Sequence, residues 1–408
     1  MIKYLKKLWK DRRGNAIVIV GAALPIVVGA AGLGTDTVQW VLWKRELQRA
    51  ADTAALAGVY AELQTASVPS AVSAHLADNN HTGVALLSGY PAITYPADTG
   101  NFTDAVRVEL RIQKRLGFSS LFLANAPVIT AAATAALIDD GNFCVVALNN
   151  SSASSITIGG STNISMGCGA ISNSTSTDSS VGINGGAYNF VADPVAGAGG
   201  MPATINGATN IQPHHVPMQD PFADKFSTDI TGMTCNKMVN AGATSLTPGC
   251  YKSFQFTGNK TYTLAAGVYY LDSTDFDVQG TVTITGTGVT IILTGDDPGD
   301  VKTNGNSGIQ LVAPTSGAYA DMLLIGMGDG SNTINGNAGS FYDGGMYFPN
   351  GTVDFTGSSG TMTQCAMVVA NFVNFSGNSN LQNSLTHPDG TPCQADSQVE
   401  AKAVRLIA

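Results

Sequence analysis

The apolar positions of this chain change their period twice, and each change marks a different kind of element. From Asn15 to Thr35 no charged residue occurs, and such a run spans about 32 Å as a helix, enough to cross a bilayer. Pro25 falls mid-span, where it predicts a kink or a local loosening. Gly21, Gly29, Gly32 and Gly34 lighten the run. Small residues of this kind either admit a partner helix closely or are simply tolerated in an apolar span. Beyond Asp36 the helical pattern continues to about Leu63. Leu47, Ala51, Ala54 and Gly58 recur at spacings of four, three and four and make one smooth stripe, away from Arg45, Arg49 and Asp52. Such a stripe packs closely on a sheet or on a neighbouring helix. A short helix follows around Ser70–Ala77.

The period then drops to two. Val106, Val108, Leu110 and Ile112 alternate with Arg107, Glu109 and Arg111, the pattern of a half-buried strand. Val128 to Ile138 reads as a further strand, although its alanine run fits a helix equally well. From about residue 141 a short theme recurs: apolar, polar, apolar, Thr or Ser, Gly. It stands at Phe254–Gly258, Val282–Gly286, Val353–Gly357 and Val373–Gly377, with Phe355 and Phe375 twenty residues apart. Strands of four to six residues that alternate inward apolar with outward polar side chains, repeated at that interval, predict a solenoid, most simply a right-handed parallel β-helix. An antiparallel β-sandwich or barrel is the alternative, since it uses strands of the same length. Asn374, Asn378 and Asn380 fit either a stacked amide ladder or tight turns; the turn reading is preferred for Asn378 and Asn380, and Asn374 stays open.

Charge sharpens this division. The first 140 residues hold 13 Lys and Arg against 11 Asp and Glu, whereas the remainder holds 7 against 18 and 37 of the 47 glycines. Charged residues are only 12% of the chain, which excludes a nucleic-acid binder and a charged disordered tail. Lys3, Lys6, Lys7, Lys10, Arg12 and Arg13, against Asp11 alone, precede the apolar span. That bias predicts a cytoplasmic N-terminus, with everything after Asp36 on the far side. A cleaved secretory signal has a shorter core and a break after it, so a retained anchor is the better reading. Expected organisation is therefore a basic tail over 1–14, a transmembrane helix over 15–35, a small α+β segment over 36–140 and a Gly/Asn/Thr-rich β-domain over 141–408. Six cysteines, all beyond residue 140, suit an oxidising compartment. Of the fifteen connectivities, the sequence-local one joins Cys144 to Cys168, Cys235 to Cys250 and Cys365 to Cys393. No Cys-x-x-Cys pair points to a metal.

Arg12-Arg13-Gly14-Asn15, the small-residue span with Pro25, Asp36, and the block Leu47-Gln48-Arg49-Ala50-Ala51-Asp52-Thr53-Ala54-Ala55-Leu56-Ala57-Gly58 together resemble the TadG-like family of the bacterial tight-adherence (Flp, type IVc) pilus systems. The resemblance is strong over about the first sixty residues and looser through Gly117-Phe118 and the alanine-rich strand. It implies a single-pass inner-membrane protein that helps to assemble or anchor adhesive pili. Prepilins of such systems are cut after a glycine and carry a glutamate at the fifth mature position. Counted from Gly14 that position is Ile19, so a processed, polymerising subunit is not indicated. Nor does Asp272-Ser273-Thr274-Asp275 match the Asp-x-Ser-x-Ser loop of the metal-dependent adhesion domain found in some members.

Chemistry is sparse. Asp275 and Asp277 share one face of a strand, with Asp272 near them, as paired glycosidase carboxylates would. However, Lys260 and Lys302 are the only cations between Lys252 and Lys402, and no arginine occurs between Arg115 and Arg405, a poor provision for acidic sugars. Asp296, Asp297 and Asp300, and the run Asp329-Gly330-Ser331-Asn332, offer oxygen ligands for Ca²⁺, but solvated loops are the simpler reading. His214 and His215 stand in a linker and point apart. The expectation is a non-enzymatic, membrane-anchored component of pilus assembly, with no catalytic residue, cofactor or metal. Its partners would be the inner membrane and other assembly proteins, docked through a helix face at Leu47, Ala51, Asp52, Ala54 and Gly58. The alternative is a surface adhesin that binds glycan or abiotic surfaces, with Tyr262, Tyr269 and Tyr270 as stacking platforms if exposed. A β-helix carbohydrate-active enzyme is the least favoured.

Overall fold

A computed structural model of the chain describes residues 15–78, 85–99, 102–239, 242–335, 339–356, 360–378, 380–384, 386, 393 and 399–407; the basic tail over 1–14 lies outside them. The chain divides into two compact units, Met1–Ile138 with Val404–Ala408, and Asp139–Ala403. The last residues thus return to the first unit, where the sequence reading had assigned everything from 141 to 408 to one β-domain.

The first unit is built on α1 (Asn15–Leu63), a single helix that continues through Pro25. It is followed by α2 (Val68–Asp78), β1 (Ala92–Thr94), β2 (Thr103–Gln113) and β3 (Val128–Ala147). The strands β1, β2 and β3 pair antiparallel, with Ala92 opposite Glu109 and Val108 opposite Ala133. That pairing decides the alanine run: Ala131, Ala133 and Ala135 turn inward beside Val106, Val108 and Leu110, so the run is strand. Its small side chains let the helix lie close. A Cβ on Gly58 would stand 2.8 Å from Val106 Cγ1, so glycine sets the helix–sheet distance there. Val404 of the strand Val399–Ile407 packs against the same core.

Among the described residues every strand pairing of the second unit is parallel, and these strands fall into three ladders. One runs through 249–251, 269–271, 291–293, 324–326, 346–348, 368–370, 145–147, 170–172, 195–197 and 211–213. A second runs through 254–256, 276–278, 301–303, 331–334, 352–355, 373–375, 156–158 and 181–183. The third is a nine-stranded sheet that includes 261–264, 283–287, 308–312 and 380–384. The chain visits the three in turn, which excludes the antiparallel sandwich. The twenty-residue interval is one full circuit: Phe355 lies opposite Phe375 with rings stacked at 5.3 Å and 11°.

The order of the tiers is not the order of the sequence. The last tier, 368–384, pairs with the first, 145–165. The chain therefore enters mid-stack, builds to one end at Ile211–Pro213, crosses to the other end and builds back to where it began. The crossing segment, 214–236, is a strap over the outer face of the first ladder. Phe222 is buried there with Ile292, Ile325 and Tyr347, and Met218 and Phe226 pack beside it. Polar ties hold it: the Tyr347 hydroxyl donates to Asp220 Oδ2 (2.8 Å), the Asn173 amide donates to the Met218 carbonyl (2.7 Å), and Thr294 Oγ1 donates to the Thr228 carbonyl (2.7 Å). Cover on both faces explains why Val289–Thr294 and Met322–Gly326 are buried throughout and read as unbroken apolar runs. The interior is aromatic, with Phe254 within 6 Å of the rings of Tyr251, Phe256, Tyr269 and Phe276.

Candidate functional site

The helix α1 has two parts with opposite surroundings. Ile19, Leu24, Ile26, Val27 and Leu33 are more than half exposed although apolar, and among the described residues this is the one helix long and apolar enough to cross a membrane. From Leu47 onward the same helix is sunk in the core of its unit: Leu47, Ala51, Ala54, Ala55 and Val59 are at most 1% exposed. The expected docking face at Leu47, Ala51, Ala54 and Gly58 is therefore not presented to a partner. Its spacing matched helix packing in general, and the sheet of its own unit fills the place given to a partner. Asp52, half-buried at the stripe's edge, accepts from Gln48 Nε2 (2.8 Å), and the same amide nitrogen donates to the Ala132 carbonyl (2.9 Å). Lys44 Nζ donates to the Thr130 carbonyl in like fashion. These side chains fasten the helix to the edge of β3, a role the sequence reading did not find.

Where the two parts meet stands Asp36, 4% exposed. Its Oδ1 accepts the Phe118 backbone N–H (2.9 Å), and its Oδ2 accepts both the N–H and the hydroxyl of Ser119. The carboxylate thus occupies the unpaired donors that open the short 3₁₀ turn Ser119–Leu121. One turn earlier on the helix, a Cβ on Gly32 would lie 2.3 Å from the Phe118 ring. Gly32 and Asp36 together seat the loop that joins β2 to β3. Asp36 and Gly117-Phe118 were each legible as motifs, but their contact spans eighty residues of sequence and has no local signal.

On the second unit the outward polar rows form ladders. Asn163 lies between Asn380 and Asn189, donating its amide to Asn380 Oδ1 (3.1 Å) and accepting from Asn189 Nδ2 (2.9 Å). Asn380 thus belongs to a ladder where a turn had been preferred. The strand residue Asn374 donates to Asp354 Oδ1 (2.8 Å), and Gln255 Nε2 donates to Asp277 Oδ2 (2.7 Å). The three tyrosines are not platforms. Tyr262 and Tyr269 point into the core at 3% and 0% exposure, and Tyr270 lies under the strap with its hydroxyl 3.3 Å from that of Tyr319. In alternating strands identical residues face in or out by parity alone, which composition does not reveal.

Of the acidic candidates, Asp275, Asp300 and Asp277 act on Lys302. Asp275 pairs with Lys302 Nζ at 2.6 Å and accepts the Asp300 N–H at 2.8 Å. Burial raises the Asp300 carboxyl above its ordinary range; Lys302 opposes the shift, and Asp275, Asp329 and Asp297 add to it. Clefts of 360 and 570 Å³ lie beside residues 236–251 and beside the turn segment 203–211; Lys237 and Tyr251 line one, Tyr188 and Asn206 the other, and among the described residues no carboxylate lines either. Among the described residues no group of three or more His, Cys, Asp and Glu is arranged to hold a metal. His215 is not in an open linker: it begins the strap, 7% exposed, with Nδ1 2.8 Å from the Val216 carbonyl and its ring against Phe143. The cysteines pair as Cys144–Cys168, Cys235–Cys250 and Cys365–Cys393.

Residues 14–65 match a family model described as putative Flp pilus-assembly TadE/G-like. The matched segment is α1 almost from end to end, both its exposed apolar part and its buried part, and the second unit lies outside it. No match was found among curated proteins or among solved structures.

Proposed function

We propose that this chain, with a TadE/G-like segment at its head, is a membrane-anchored, non-enzymatic component of Flp pilus assembly. The observation that carries the reading is the coincidence of the matched segment, 14–65, with a helix exposed and apolar in its first part and embedded in a folded unit in its second. Cations before the span favour a cytoplasmic N-terminus, and three disulfides in the second unit favour an oxidising compartment beyond the membrane. We read the three ladders as a right-handed parallel β-helix, because crossovers between parallel strands are right-handed in about 98% of cases. On this reading the second unit is a projecting spacer held at the membrane by the first. Deleting the protein tests it directly: pili disappear from the cell surface if it serves assembly, and unchanged pilus number with unchanged attachment contradicts the proposal.

The exposed row Asn380–Asn163–Asn189 favours one second reading, in which the body itself touches a glycan or an abiotic surface. That reading expects retained pili with lost attachment in the same deletion strain, and loss of glycan binding on replacing Asn163 with a bulky residue.

A further inference from the structure

Among the described residues of the first unit outside α1, the loop between β2 and β3 carries the two most exposed large apolar side chains, Phe122 at 75% and Leu121 at 74%, with Leu123 next to them at 52%. A soluble surface does not ordinarily place three such residues in succession. Their position along α1 is fixed by two contacts already described, Phe118 on Gly32 and the Asp36 carboxylate on Phe118 and Ser119. Gly32 lies inside the apolar span, about 6 Å before Asp36 and about 12 Å before Trp40 along the helix axis. Trp40, 40% exposed, and Trp43, whose ring lies 5.6 Å beneath the Lys114 ammonium, stand where aromatic residues mark a membrane–water boundary. Lys114 and the exposed Arg115 precede the loop, placed to meet phosphate headgroups while the residues after them go deeper.

From this arrangement we infer that the loop Leu116–Leu123 is a second membrane contact, inserting Leu121, Phe122 and Leu123 into the lipid beside the helix. The occupant of this apolar surface is the acyl region of the bilayer leaflet that α1 leaves at Asp36. The inference rests on α1 being a membrane span. Its consequence is mechanical: a unit held at two points cannot swivel freely about its anchor. β2 runs away from the loop, and Thr103 at its far end stands about 33 Å from Gln113 at 3.3 Å per residue. The contact is thus confined to one end of the unit.

The test uses the full chain, its native cysteines oxidised, in phosphatidylethanolamine–phosphatidylglycerol vesicles. A single added cysteine carries an environment-sensitive fluorophore, in Phe122→Cys, Leu33→Cys or Asp98→Cys. Lipids with nitroxides at defined acyl depths and iodide in the buffer serve as quenchers. The expected result is that the Phe122→Cys label loses as large a fraction of its emission to the lipid nitroxides as the Leu33→Cys label, and that iodide quenches only the Asp98→Cys label. A Phe122→Cys label open to iodide while Leu33→Cys is quenched by lipid overturns the inference and leaves the anchor standing. A Phe122→Cys label shielded from both quenchers also overturns it, since a protein then covers the loop. If Leu33→Cys itself escapes the lipid quenchers, the anchor reading falls and the inference with it.

Discussion

The two units solve the same packing problem with opposite residues. In the first, a helix lies on a small antiparallel sheet through Ala51, Ala54, Ala131, Ala133 and Ala135 and through Gly58, so the backbones come close and little side-chain volume lies between them. In the second, strands stack at the fixed spacing of parallel ladders and the interior between them is wide; Phe254, Phe256, Tyr269, Phe276 and Phe375 fill it. Close approach makes the first core intolerant of added atoms, and a wide interior makes the second intolerant of lost ones. Polar chemistry differs in the same sense. The first unit uses single long-range ties such as Asp36 to Ser119, whereas the second repeats short ties tier upon tier.

Replacing Phe254 with Ala should have the largest effect. The site is 0% exposed and ringed by four aromatic side chains, so the loss should be about 3–5 kcal/mol, read as a lowered unfolding transition and faster amide exchange in the second unit. Exchange in β2 should not change; a loss of equal size in β2 would break the division into two cores.

Gly58→Leu tests the opposite liability. Its added side chain meets Val106 and Val68, and overpacking of this kind costs about 1–3 kcal/mol, partly offset by about 1 kcal/mol of helix propensity gained on leaving glycine. Amide exchange in α1, α2 and β2 should quicken while the ladders keep their protection. A stabilised variant would show that the helix and sheet stand further apart than described.

Asn163→Ala removes the middle of an exposed amide row and should cost only about 0.5–1.5 kcal/mol, seen as faster exchange at Ile164 and Phe190. A larger loss would mean that the outer rows, rather than the aromatic interior, hold the stack.

The smallest effect is electrostatic. Because the Asp300 carboxyl is raised in the folded chain, the fold binds that proton more tightly than the unfolded chain does, and stability falls as pH rises. The contribution is fully present below the ordinary aspartate range and is lost as pH climbs through the raised value. Asp300→Asn should therefore be the more stable protein above that window, by no more than about 1 kcal/mol since much of the group faces solvent, and should lose the advantage below it. Denaturant midpoints of the pair across acidic to neutral pH read the difference.

Much of this was legible in the sequence where the signal was local. The uncharged run to Thr35, the alternation at Val106–Ile112 and the interval between Phe355 and Phe375 each follow from one element's own periodicity, and the sequence-local cysteine pairs proved to be the bonded ones. What escaped depends on contacts distant in sequence. Nothing near Val368 indicates that it pairs with Val145, because every tier offers the same alternation to any neighbour. The strap was hidden for a related reason: Phe222 and Phe226 look like stray aromatics in a polar stretch until the apolar face beneath them is known. The docking stripe shows the converse, a pattern correctly seen as a packing face whose occupant was the chain's own sheet.

Cell fractionation of full-length, C-terminally tagged protein, with sheared surface pili as a separate fraction, tests the central claim that one chain joins a retained membrane helix to a folded body. The account predicts full-length protein in the inner-membrane fraction and none in the sheared pili. A shortened chain in the sheared fraction, beginning near Gly14 or Thr35, would contradict it, because the helix would then be a processed leader and the body would work away from the membrane.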